Sequence, residues 1–219
     1  MSPANLLKVL FLLVIVTLNL SVFAQTKSDA WYTGEIELID NHIYQVQLRY
    51  VPTRSEGLLQ ARENEVLMTL SPLKIKSFEF FDSLRNEYRR FVSIPTFMEN
   101  HQYQKKMFIE VLYPGNAVSL FRHTNSYGMM ATEALYLMDH RTQEIFPYAV
   151  SKYSHRNKPV YINADTKLLF QLGRVHTKEL KDYATRNHLR LRKPQDISAL
   201  LTYLDQLSNI SAKKISPLR

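Results

Sequence analysis

The chain has 219 residues and a formal net charge of +8, from 28 lysines and arginines against 20 aspartates and glutamates. It contains no cysteine, which excludes disulfides, thiolate catalysis, cysteine-ligated zinc and a lipid anchor on a cysteine. The positive charge favours acidic partners such as anionic lipid headgroups, polyanionic glycans or nucleic acid, although a charge of this size also serves solubility alone.

The first 24 residues are typical of a cleavable signal peptide. Lys8 and the amino group make a positive start, residues 9–20 form an apolar run, and Val22 and Ala24 are the small residues of a cleavage site. We expect cleavage between Ala24 and Gln25. The alternative is an uncleaved anchor, but the apolar run is shorter than the ~20 residues that a spanning helix needs.

This N-terminus predicts an extracytoplasmic protein, either periplasmic or secreted. Export makes nucleic acid the least expected partner, so none is predicted. Later apolar runs such as Met107–Tyr113 have the length of strands. We therefore expect no transmembrane span after cleavage.

The next part of the chain has the pattern of an antiparallel sheet. Residues 44–50 alternate apolar and polar side chains, which is typical of a half-buried strand. Pro114-Gly115-Asn116 and the segment 139–143 each separate two apolar runs and predict hairpin turns. Residues 52–62 are polar, contain Gly57 and are expected to form a loop.

The C-terminal part has helical spacing. Asp165 is expected to cap a first helix and Thr177 a second, and Pro194 fits the first turn of a third. The apolar residues of the third helix recur at i, i+3, i+4 and i+7, starting at Ile197. The predicted class is α+β: an N-terminal antiparallel β-sheet or open barrel with a small C-terminal helical unit.

The predicted organisation has five parts, which follow from changes in composition along the chain. They are a signal peptide (1–24), a β-rich domain (25–153), a linker (154–164), a helical C-terminal unit (165–208) and a basic tail (209–219).

The sequence shows no catalytic motif. No serine lies in a Gly-x-Ser-x-Gly elbow, there is no P-loop or dinucleotide fingerprint, and the seven histidines form no ligand pair. Asp139-His140 is the nearest approach to a catalytic couple, and it is expected to lie in a solvated turn. We therefore predict no catalytic residue, no metal site and no cofactor.

The strongest candidate for a contact surface is basic. Arg186, Arg190, Arg192 and Lys193 lie close together in the sequence, and strand-like spacing would point Arg190 and Arg192 away from the neighbouring leucines. The alternative is an ordinary solvated face.

The order of motifs resembles a group of exported Bacteroidetes proteins without an assigned activity. The chain matches the group in four places, which are a glycine-containing strand at 31–36, Ser-Pro before a phenylalanine-rich strand at 71–78, an aromatic strand, turn and strand at 108–121, and a helical end at 168–207. It departs from the group at Asp40-Asn41-His42, where members often have more glycine. The resemblance implies the fold and export, and it assigns no site residue.

Two functions remain open from the sequence. The first is a non-enzymatic cell-envelope protein that binds an anionic envelope component or another envelope protein. The alternative is a hydrolase of envelope polymers with a site assembled from distant residues.

Overall fold

The computed structural model describes residues 30–52, 57–64, 66–95, 105–127, 130–153 and 159–215. Residues Tyr32–Arg219 belong to one compact unit. Its eleven described strands are β1 (Tyr32–Leu38), β2 (Ile43–Val51), β3 (Leu58–Glu63), β4 (Val66–Leu70), β5 (Ile75–Asp82), β6 (Glu87–Pro95), β7 (Lys106–Tyr113), β8 (Val118–Tyr127), β9 (Met130–Asp139), β10 (Glu144–Tyr153) and β11 (Pro159–Ile162). The described helices are α1 (Thr166–Leu172), a 3-10 turn (Arg174–His176), α2 (Thr177–Arg186) and α3 (Pro194–Ile215).

The strands form one antiparallel sheet that is open at both edges. The order across it is β11-β10-β9-β8-β7-β6-β5-β1-β2-β3-β4. The predicted antiparallel sheet with a small helical unit is therefore confirmed. The predicted class α+β gives the helices too large a share, because the described part of the chain is mostly β.

The N-terminal half of the sheet is strongly curved. Strands β2 and β6 are three positions apart, which is about 14 Å in a flat sheet, yet the rings of Tyr50 and Phe91 are 4.6 Å apart. The sheet therefore curls over one face and buries an aromatic core that includes Phe78, Phe80 and Phe108.

The helices cover the other half of the same face. Leu120, Leu135 and Leu137 of the sheet pack against leucines of the three helices, and we call this cluster the helical core. The stripe predicted for α3 is confirmed at Ile197, Leu200, Leu201 and Leu204, which are all buried. The Asp165 cap is also confirmed, because its carboxylate accepts from the N–H of Leu168 at 2.9 Å.

Four local predictions differ from the structure. The segment 52–62 contains β3, and the expected linker 154–164 contains β11. Thr177 does not cap α2, since its hydroxyl donates to the carbonyls of Phe170 and Arg174 and joins this turn to α1. Helix α3 continues to Ile215, inside the segment expected to be a basic tail.

Candidate functional site

The structure places most of the predicted basic cluster around one cleft. Arg190, Arg192 and Lys193 lie in the connector between α2 and α3 and are exposed. They line a cleft of about 630 Å³ together with Pro159, Val160, Tyr161, Thr166, Leu189 and Leu191. We call it the basic cleft. Its size is within the range of small-molecule sites.

Arg186 is separate from the lining of this cleft. It is the last residue of α2, and its guanidinium donates to the carbonyl of Asp182 at 3.3 Å. The structure thus brings together three of the four predicted residues.

The connector backbone is fixed by hydrogen bonds. The Tyr148 hydroxyl, which comes from β10, donates to the carbonyl of Leu191 at 2.6 Å. The Arg190 N–H donates to the Asp196 carboxylate at 2.8 Å, and the Leu189 N–H donates to the Ala184 carbonyl at 2.9 Å. These bonds fix the backbone that carries the three cationic side chains, so a ligand does not have to order the connector itself.

The cleft combines positive charge with apolar surface. Leu189 and Leu191 are half-buried between the exposed cations, as strand-like spacing predicted. Val160 of β11 also lines the cleft and is 51% exposed. An anionic group beside an apolar group would satisfy both surfaces, because guanidinium and ammonium groups bind phosphate and carboxylate oxygens.

Tyr161 forms a buried wall of the cleft and connects it to a group of charges inside the molecule. The side chain is 4% exposed, and its hydroxyl donates to the Glu133 carboxylate. Burial, together with the bond to Glu133, raises the pKa of Tyr161. The tyrosine therefore remains neutral and acts as a hydrogen-bond donor.

Beyond Tyr161, acidic and basic side chains alternate across the curved face. We call Asp82, Arg89, Glu110, Arg122 and Glu133 the ion-pair row. The strand registers put Arg89 beside Phe80, Glu110 beside Phe91 and Arg122 beside Glu110, so the row shares a face with the aromatic core. It separates that core from the helical core.

Glu110 is the centre of the row. Arg89 donates to both of its carboxylate oxygens, at 2.7 and 3.0 Å. Arg122 donates from Nε and Nη2 at 2.9 and 2.8 Å. Burial alone would raise the pKa of Glu110, but the bonds and charges of Arg89 and Arg122 outweigh burial and lower it.

The arginines of the row are also partly buried and fully engaged. The Arg122 guanidinium lies 3.9 Å from Glu133, and Arg89 lies 3.5 Å from Asp82. Arg89 is further placed over the ring of Phe91, with 5.0 Å to the ring centre. Every carboxylate of the row has a cationic partner, so the arrangement indicates a structural role rather than acid–base chemistry.

Sequence reasoning missed the row because its members are up to 51 positions apart and each resembles a solvated strand residue. A weak signal was present at Glu110, which interrupts the apolar strand β7. A charge in the middle of such a strand needs a buried partner.

Asp139 and His140 do not form a catalytic couple. The Asp139 carboxylate binds the Arg174 guanidinium and the Arg141 N–H. His140 instead contacts the hydroxyl of Ser119 through Nε2 at 2.6 Å. Since Ser119 is 3% exposed, a substrate would have no direct access to its hydroxyl.

A second, smaller cavity lies at the curved end of the sheet, and we call it the apolar cup. It has a volume of about 240 Å³, and each of β1, β2, β3 and β4 contributes two side chains. The lining residues are Ile36, Leu38, Tyr44, Val46, Ala61, Glu63, Met68 and Leu70. Glu63 is the one charged residue among them.

Three further observations concern ligands and membranes. Within the described ranges, no three histidine, aspartate or glutamate side chains are placed to hold a metal ion. No helix in that part of the chain has the length and apolar character to cross a membrane. The predicted cleavage residues Ala24 and Gln25 lie outside the described residues.

Comparison with known proteins gives no assignment: no family model, no curated protein and no solved structure matches this chain.

Proposed function

We propose that this chain is an exported envelope protein that binds an anionic amphiphile of the envelope in the basic cleft, without catalysing a reaction on it. The observation that supports the proposal is the position of Arg190, Arg192 and Lys193 on a fixed connector, beside the apolar surfaces of Val160, Leu189 and Leu191. The ligand class follows from that combination, a phosphate or carboxylate attached to an apolar group.

Calorimetric titration with a short-chain phosphatidylglycerol tests this proposal. We expect the triple variant Arg190→Ala, Arg192→Ala, Lys193→Ala to weaken binding by at least about tenfold, because charge-assisted hydrogen bonds to the phosphate are lost. Phosphatidylcholine of the same chain length should bind less tightly, because its quaternary amine cancels the charge of the phosphate.

The matched control removes three exposed cations elsewhere, with Lys74→Ala, Arg90→Ala, Lys178→Ala. Both triple variants have the same net charge, so general attraction is equal in them. Equal weakening by the two would overturn the cleft as the site. Equal binding of inorganic phosphate would show that the apolar surface of the cleft has no part in recognition.

Export requires a separate test. We expect the protein from the native host to begin at Gln25 and to be found in the periplasmic or secreted fraction, because the N-terminus is typical of a cleaved signal peptide. A retained Met1 in the membrane fraction would overturn cleavage. That outcome would leave the cleft proposal testable on its own.

A further inference from the structure

One edge of the sheet has an uncharged, exposed strand. Strand β4 has the sequence Val-Leu-Met-Thr-Leu and pairs with β3 on one side. Val66, Leu67 and Met68 are 60%, 57% and 37% exposed. Among the described residues no other strand pairs with the outer edge of β4. A strand with apolar side chains on both faces and such an edge is a surface on which another strand can pair.

In the described part of the chain, the opposite edge of the sheet has protective features that β4 lacks. Strand β11 has four residues and begins with Pro159, which has no N–H to offer. Strand β4 contains no proline and no lysine, and its register with β3 continues without a bulge from Leu70 to Val66. Sheet edges normally have one of these protections, because an unprotected edge invites association.

We propose that two copies of this chain associate through β4, as antiparallel strands related by a two-fold axis at Met68. In that register Val66 lies opposite Leu70 of the other copy, and Leu67 lies opposite Thr69. Each β4 is therefore its own complement, as a two-fold contact requires. The pairing places no like charges opposite each other, although two positively charged chains repel elsewhere.

The apolar cup gives this association a driving force. Met68 and Leu70 line the cup and point to the same face of β4 as Val66. Pairing of the two β4 strands would place the two cups side by side, with the methionines in contact. Exposed apolar surface on the rims would then be removed from water.

Sedimentation velocity on the protein as purified from its host tests the proposal. We expect the average mass to rise from that of a monomer towards that of a dimer as the protein concentration increases. Measurements up to about 1 mM detect even a weak dimer with an association free energy of ~4 kcal/mol. Leu67→Glu should shift the protein towards the monomer, since it introduces a charge beside Thr69 of the partner. Within one chain this glutamate lies next to Arg62, so the fold is preserved.

The matched control is Val175→Glu, because Val175 is 85% exposed and lies in the helical half of the molecule. It should leave association unchanged. The double variant Leu67→Glu, Thr69→Lys should restore the dimer, since each glutamate then meets a lysine of the other copy. The double variant Leu67→Glu, Val66→Lys should not, because residue 66 points to the other face and lies opposite Leu70 of the other copy.

A monomer at every concentration would overturn the proposal. It would also be overturned by equal effects of Leu67→Glu and Val175→Glu, or by a dimer that Thr69→Lys does not restore.

Discussion

At the scale of single residues, the buried carboxylate of Glu110 is stabilised by its two arginine neighbours, Arg89 and Arg122. Its side chain is 4% exposed and accepts hydrogen bonds from two arginines, which are themselves 14% and 15% exposed. Removing the negative charge would leave two cations close together in the interior. A buried charge without its partner is far more costly than a lost surface pair.

We therefore predict that Glu110→Gln lowers the free energy of unfolding by about 3–5 kcal/mol. Denaturant unfolding followed by circular dichroism measures this change. The control is Glu79→Gln, which removes an exposed carboxylate 4.0 Å from Arg90 and should cost at most about 1 kcal/mol. Equal losses in the two variants would contradict the role given to the buried row.

The same residue predicts a pH dependence. The pKa of Glu110 is lower in the folded protein than its ordinary value of 4.5. A carboxylate with a lowered pKa stabilises the fold above that ordinary value, and this stabilisation is lost as the pH falls through the folded-state pKa. Glutamine cannot titrate in this range.

The difference in unfolding free energy between wild type and Glu110→Gln should therefore shrink as the pH falls below about 4.5. Denaturant unfolding at a series of pH values from neutral to about 3 checks this. A difference that stays constant over that series would show that folding does not lower the pKa of Glu110.

At the scale of elements, helix α3 packs on the sheet through its leucines and is also bonded to it by the Asp205 carboxylate. Asp205 accepts from the Tyr113 hydroxyl at 2.8 Å and from the N–H groups of Asn116 and Ala117 at 2.9 and 3.1 Å. The turn between β7 and β8 is therefore tied to the middle of α3. The basic cleft depends on this docking, because its connector leads directly into α3.

We predict that Asp205→Ala loosens α3 from the sheet. The loss of hydrogen bonds to a charged acceptor should cost about 3 kcal/mol. Amide hydrogen exchange in α3 should then become at least about tenfold faster. Gln206→Ala, an exposed change on the same helix, is the control, and equal exchange in the two variants would contradict the anchoring role.

Local elements were predictable where turn chemistry and side-chain periodicity agreed. The β7–β8 and β9–β10 hairpins follow from Pro114-Gly115-Asn116 and from the polar segment 139–143. Strand β3 was missed because its alternate residues Gln60 and Arg62 face outwards, beside Arg49 and Gln47 of β2. With Gly57 before it, that composition is the same as that of a loop.

At the scale of the whole molecule, the long-range arrangement was beyond sequence reasoning. Strand β1 lies between β2 and β5, and the partner in β5 comes about forty residues later in the chain. Periodicity shows that a strand exists and not which strand it pairs with. The ion-pair row and the cleft wall from β11 both depend on such pairings, so neither could be predicted.

The basic cluster was predictable in part, because charge and proximity in sequence are visible without a structure. The connector residues were correctly expected to alternate, with the arginines exposed and the leucines inward. The part of the cleft that β11 lines was not visible, since residues 154–164 were expected to be a linker. Without β11 the sequence predicts attraction to anions but no cleft that could also receive an apolar group.

The proposed ligand site is tested most directly by mapping amide resonances of the labelled chain during titration with short-chain phosphatidylglycerol. We predict shifts that saturate at Val160, Tyr161 and 189–193, which line the basic cleft, with little change at the apolar cup. Shifts confined to β1–β4, or no saturable shifts at all, would contradict the basic cleft as the ligand site.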